Sequence, residues 1–169
     1  ACNTPRVLTV VLHVKSTLHV PAEYPTIQAA IDAAVFPGDE VAIADGVHTG
    51  AGNKDLDFGG KAITVRSAGG DPAACVIDCE GSGRGFYFHS GETASSVVQG
   101  LTIRNGNSSD GGGIYCYNSS PTLTNCVITG NATDFQGGGV SCEGSSLGLN
   151  ACAITDNSAL QGGGVYVLD

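Results

Sequence analysis

Two sets of side chains in this chain have the types and spacing to do chemistry. Asp78 and Arg104 close two matching frames, Cys75-Val76-Ile77-Asp78 and Leu101-Thr102-Ile103-Arg104, 26 residues apart. On adjacent turns of one repeat they could serve as the acid and the electrostatic clamp of a uronate-cleaving site. The plainer expectation is a surface ion pair worth less than about 1 kcal/mol. The second set is aromatic. Tyr87, Tyr115 and Tyr166 hold equivalent places, with Ser141 between the last two, and His89, Tyr117, Glu143 and Leu168 follow two residues on. Rings with a polar tip favour interfaces and can stack on apolar sugar faces. Tyr87, His89, Tyr115, Tyr117 and Tyr166 are therefore the candidate surface for a glycan or a partner. Stacking between repeats without any ligand is the alternative.

Other chemistry is harder to assemble. A glycosidase needs two facing carboxylates, and the turn acids Asp110, Asp134 and Asp156 have no evident basic partner. His13, His19, His48 and His89 are scattered, in no metal-ligand spacing. Cys75 and Cys79 are close, but no second short-spaced pair completes a zinc site. No catalytic residue, metal ligand or cofactor is expected, except calcium if the domain is a polysaccharide lyase.

These side chains are positioned by a repeat. Gly111-Gly112-Gly113-Ile114-Tyr115-Cys116 returns as Gly137-Gly138-Gly139-Val140-Ser141-Cys142 and as Gly162-Gly163-Gly164-Val165-Tyr166-Val167. Such a period marks a solenoid, each repeat one turn stacked on the last. Within it, apolar residues alternate with period two, as on strands. One inward column runs Ile77, Ile103, Ile128, Ile154, beside Cys75, Leu101, Cys126, Cys152. Others run Phe86, Ile114, Val140, Val165 and Val98, Leu123, Leu149. Three short strands per turn at this period give an all-β solenoid, a parallel β-helix of about five coils over residues 40–169, with the last coil incomplete.

Ahead of it, Thr26 caps a predicted helix whose Ile27, Ala30, Ile31 and Ala34 share a face; it ends at Pro37-Gly38-Asp39. This one N-terminal helix, in a segment spanning 21–39, would cover the open first coil, whose amides are otherwise unpaired. Residues 1–20 read as an extended leader, with a strand at 7–14.

Composition narrows the classes. Seven Lys and Arg against 16 Asp and Glu, net charge −9, leave no basic patch for nucleic acid. No apolar run is long enough to span a bilayer. The chain starts at Ala1 and contains no Met, which suggests a mature secreted chain, extracellular or at the cell surface. Cys116 and Cys142, like Cys126 and Cys152, repeat one place, so stacked buried thiols are expected, with disulfides between coils as the alternative. Asn131 and Asn157 suggest a polar ladder at a corner, with Asn105 or Asn107 as an earlier rung. Asn107, Asn118 and Asn131 also fit the N-glycosylation acceptor pattern.

Tyr24-Pro25-Thr26-Ile27-Gln28-Ala29-Ala30-Ile31-Asp32-Ala33-Ala34, then Gly38-Asp39-Glu40-Val41, resembles the opening of secreted pectin-lyase-like right-handed β-helix proteins. The pattern from Cys126 through Ile128 and Asn131 to the glycine run resembles repeats of bacterial surface β-helix adhesins. The resemblance implies a right-handed coil and an extracellular setting; the fold itself carries lyases, hydrolases, adhesins and spacers alike. The expectation is a non-catalytic structural or adhesive module. Its partners would be surface glycans or its own copies, laterally or head-to-tail into a filament by donation of the leader strand. A carbohydrate-active enzyme, lyase or hydrolase, is the alternative.

Overall fold

The computed structural model describes residues 14–169. In chain order these form β1 (Thr17–Val20), helix α1 (Ile27–Ala33), β2 (Glu40–Ile43), β3 (Gly46–His48), β4 (Thr64–Ser67), β5 (Cys75–Asp78), β6 (Phe86–Phe88) and β7 (Val97–Gln99). Then follow β8 (Thr102–Arg104), β9 (Ile114–Tyr117), β10 (Thr122–Thr124), β11 (Val127–Thr129), β12 (Val140–Glu143), β13 (Gly148–Asn150), β14 (Ala153–Thr155) and β15 (Val165–Leu168). They stack into three parallel sheets: β1-β2-β4-β7-β10-β13, β3-β5-β8-β11-β14 and β6-β9-β12-β15. This is a parallel β-solenoid.

The inward columns lie as the alternation predicts. Ile77, Ile103, Ile128 and Ile154 are in register, as are Val98, Leu123 and Leu149. Leu18, Val41 and Val65 extend the latter column backward. The first sheet therefore has six rungs, one more than the five coils counted in the sequence. The extra rung is β1, which lies within residues 1–20 and pairs with β2 of its own chain. The strand expected at 7–14, and with it the donated strand, falls outside the described residues save for the exposed Val14.

Helix α1 enters between β1 and β2. The Thr26 hydroxyl accepts from the Ala29 amide, and Ile27, Ala30 and Ile31 are buried. Its last turn is held by Lys61, whose Nζ donates to the carbonyls of Ile31 and Asp32 at 2.7 and 2.9 Å. A cation there satisfies carbonyls that a helix end leaves unpaired. Beyond the helix, Phe58, Phe86 and Phe88 fill the core, with centroids 5.1 to 6.1 Å apart.

Corners make the coil turn. Asn105, Gly130 and Asp156 hold one left-handed corner at φ 56, 65 and 55°; Gly100, Asn125 and Ala151 hold another. The glycine runs serve a different need, because backbones of successive coils touch there. A Cβ on Gly113 would lie 2.6 Å from the Gly139 carbonyl oxygen, which no side chain tolerates.

The asparagine ladder is internal. Asn131 is buried; its Nδ2 donates to the carbonyls of Ile103 and Thr129 and to Asn157 Oδ1. Its Oδ1 accepts from the Gly106 amide at 2.8 Å. The rung before Asn131 is thus Gly106, because Asn107 bridges to Ala132. Neither Asn105 nor Asn107 occupies it: Gly106 lies against the Gly112 backbone, leaving no room for a side chain. Burial of Asn131 also removes it as a glycan acceptor, while Asn107 and Asn118 are exposed. Among the described residues six cysteines are free. Cys116 and Cys142 stack in register, and burial pushes the Cys75 thiol up to about 11 and Cys79 up to about 12.

A buried carboxylate pins another corner. Glu92 accepts from the amides of Gly60 and Ser90 and from the Ser119 hydroxyl. Burial alone would raise its pKa; these donors outweigh burial and hold it below the ordinary glutamate value. A depressed folded pKa contributes stability that is present above the unfolded value, near 4.3, and is lost as pH falls through the folded one. Chemical denaturation from neutral to acid pH should show this loss, and Glu92→Gln should be less stable at neutral pH with a shallower acid slope. Asn131→Ala should cost about 2–4 kcal/mol by the same measurement, because it leaves several buried backbone groups unpaired.

Candidate functional site

The outward column expected from the sequence is in register, and one further residue, Asp57, extends it. Tyr87, Tyr115, Ser141 and Tyr166 are in register on the outward face of the third sheet. The bridge between Leu56 and Phe86 places Asp57 one rung before Tyr87. The second row runs His89, Tyr117, Glu143, Leu168, since Tyr117 pairs with Glu143 and Glu143 with Leu168.

The rings are close enough to interact. Tyr87 and Tyr115 are parallel within 4°, with centroids 5.3 Å apart. Tyr87 also stacks on His89 at 4.1 Å, and Tyr115 tilts against Tyr117 at 6.5 Å. His89 Nε2 lies 3.3 Å from Asp57 Oδ2. Tyr117 is about half exposed, at 46%. In-register stacking follows from the rung spacing of a parallel sheet, about 4.8 Å.

One participant was missed in the sequence. The Arg84 guanidinium sits 4.9 Å from the Tyr87 centroid and 5.1 Å from that of Tyr115, a cation–π contact with both. Its Nη2 donates to the Ser108 hydroxyl, and its backbone amide to Asp55 Oδ1. Burial lowers its pKa, opposed by the nearby Asp55, Tyr87, Tyr115 and Asp110. Arg84 precedes β6 in a turn, outside every alternating column, so no periodicity pointed to it. Asp57 was legible in principle: Leu56-Asp57-Phe58 alternates in, out, in. The 30 residues from Leu56 to Phe86 broke the expected step.

Two buried polar atoms of this face have no hydrogen-bond partner: Arg84 Nη1 and Ser141 Oγ. Ser141 is buried at a position where its rung neighbours on both sides carry tyrosines. Burial, then the nearby Glu143 carboxylate, pushes the Tyr115 phenol above the ordinary tyrosine value.

Asp78 and Arg104 lie on the second sheet, in adjacent rungs. Arg104 Nε donates to Asp78 Oδ2 at 2.9 Å, while Asn105 Nδ2 and the Glu80 amide donate to Asp78 Oδ1. Burial would raise the Asp78 carboxyl, but the hydrogen bonds from Asn105, Glu80 and Arg104 hold it low. The carboxylate is thus occupied by three protein donors and neutralised by its rung neighbour. That arrangement suits a staple between coils.

Among the described residues, no group of three or more His, Cys, Asp or Glu is placed to hold a metal ion. No helix there is long and apolar enough to cross a membrane. Two clefts, of about 210 and 250 Å³, flank the segment from Val35 to Phe36 after α1 and contain none of the candidate residues. The aromatic surface is a face, not a cleft.

Three parallel sheets around one apolar core define the class, a parallel β-solenoid. The chain belongs to the right-handed β-helix family: the family described as "right handed beta helix region" matches residues 44–169. No curated protein and no solved structure gives a significant match.

The Tyr115–Glu143 contact can be read directly. In an ultraviolet difference titration, the phenol lost in Tyr115→Phe should be one that ionises later than a free tyrosine. Glu143→Gln should move that ionisation back toward the ordinary value; no movement would remove Glu143 as a cause.

Proposed function

We propose that this β-helix is a non-catalytic extracellular contact module that presents the aromatic face of its third sheet to glycans. The observation that carries the reading is the outward pair of rows in which Tyr87 stacks on Tyr115 and His89, and Tyr117 tilts against Tyr115, beside the Asp57 carboxylate. Planar side chains held at a fixed rung spacing offer apolar faces and edges for pyranose rings, and the Asp57 and Glu143 carboxylates beside them accept from sugar hydroxyls. The scaffold does not need to move to make this contact, so little ordering entropy opposes binding.

The alternative, a polysaccharide lyase or hydrolase, would draw on Asp78 and Arg104. These two groups engage each other, and Asn105 and the Glu80 amide also donate to Asp78, so the protein occupies most of the acceptor positions of the carboxylate. Assembly of copies head-to-tail through the leader strand rests on residues outside the described part and takes no support from the aromatic face.

The test is binding of immobilised polysaccharides, neutral and acidic, combined with a product assay on polygalacturonate with and without calcium. Retention on at least one glycan, weakened about tenfold or more by Tyr117→Ala with the fold intact by circular dichroism, is the expected result. Product formation abolished by Asp78→Asn or Arg104→Ala would replace the contact module by an enzyme.

A further inference from the structure

The charge around the aromatic face bears on which glycans it takes. Asp57 begins the outer column, Glu143 sits in the second row, and Asp55 and Asp110 lie near Arg84. Arg84 is the cation among them. Its guanidinium is held over Tyr87 and Tyr115 and donates to Ser108, with the two aspartates beside it. It lies over the two rings and donates through Nη2, its Nη1 is buried without a partner, and the carboxylates around it offset its charge. The face therefore carries excess negative charge, within a chain of net charge −9.

The outer column has one break. Ser141 stands between Tyr115 and Tyr166, which are two rungs apart, about 9.6 Å by the spacing of parallel strands. Ser141 is wholly buried, so the neighbouring side chains close over it and its unpartnered Oγ is not open to a ligand. Glu143 stands in the adjoining row of the same rung and is partly exposed, where it can accept from a sugar hydroxyl.

We propose that the aromatic face selects uncharged or amine-bearing hexopyranose chains and rejects uronate and sulfated ones, an inference that rests on the glycan-contact reading above. Sugar hydroxyls donate to the carboxylates, and a protonated amine gains attraction from Asp57 and Glu143 as well as from the ring faces. A uronate carboxylate placed on the same rings meets like charges, which disfavours wrong partners. Arg84 and His89 are the basic groups that could offset this; Arg84 is shared with the carboxylates around it, and His89 lies 3.3 Å from Asp57.

The experiment is calorimetric or interferometric binding of the full chain to four soluble probes at neutral pH: a cello-oligosaccharide, a manno-oligosaccharide, a chitosan oligosaccharide and an oligogalacturonate. Each is measured at low and at physiological salt, for wild type, for Tyr117→Ala and for the Asp57→Asn, Glu143→Gln double variant. The expected order is chitosan tightest at low salt, at least one neutral chain next, and oligogalacturonate about tenfold or more weaker than that neutral chain. Salt should narrow the gap between amine and uronate, and so should the double variant. Oligogalacturonate binding as tightly as the neutral chains, and lost in Tyr117→Ala, would overturn the charge selection while leaving the glycan surface standing. A selectivity that the double variant does not change would also overturn it. No binding to any of the four, nor to the immobilised polysaccharides, would remove both readings.

Discussion

Everything in this molecule depends on one constraint: each coil must lay its backbone on the coil before it, amide to carbonyl, at the spacing of a parallel sheet. With this much glycine and so few charged side chains, the described residues form no amphipathic helix of length to pack. The polar backbone can be buried only where the next coil supplies the missing partner. Once that pairing is made, residues one coil apart are held side by side. A favourable like-with-like contact then gains from repetition, and an unfavourable one is repeated too. This is why cysteine lies over cysteine, Asn131 beside Asn157, and tyrosine against tyrosine.

The same constraint separates the inside from the outside with unusual clarity. Inward places admit only what fits between coils, so they hold aliphatic residues, thiols and, in the early coils, the three phenylalanines. Corners favour residues that tolerate a left-handed backbone or that cap amides, hence glycine, asparagine and Asp156, with Ala151 the exception, and the capping side chains of Asn131 and Glu92. What remains free to vary is the outward face of each sheet. On the second sheet that freedom is used for an ion pair and small residues. On the third it is used for aromatic rings, a half-shared arginine and carboxylates. The difference between the faces is what turns a scaffold into a candidate binding surface.

How much of this was legible in the sequence varied along the chain. From Cys75 onward the step between rungs stays between 25 and 28 residues, so the columns could be read by alignment of the chain with itself. Before that, coils carry insertions. Val65 and Val98 are rung neighbours 33 residues apart, and Val41 and Val65 are 24 apart. No single period spans both. The sixth rung at β1 and the extension of the aromatic column to Asp57 were hidden for this reason. Gly106 was hidden for another, because a glycine that stands where a ladder begins leaves no side chain to recognise.

The sequence by itself determined the repeat, the alternation and therefore the parallel coil, the one short helix and which tyrosines share a row, because strand periodicity and corner chemistry are local and recur. Tertiary structure alone decided what meets across coils at irregular distances along the chain. Arg84 lies over two rings that belong to different strands, Glu143 lies near the Tyr115 phenol, and His89 meets Asp57 from a coil whose length departs from the period. These contacts come from turns and insertions, whose path is set by packing against neighbouring coils and leaves no periodic trace in the order of residues.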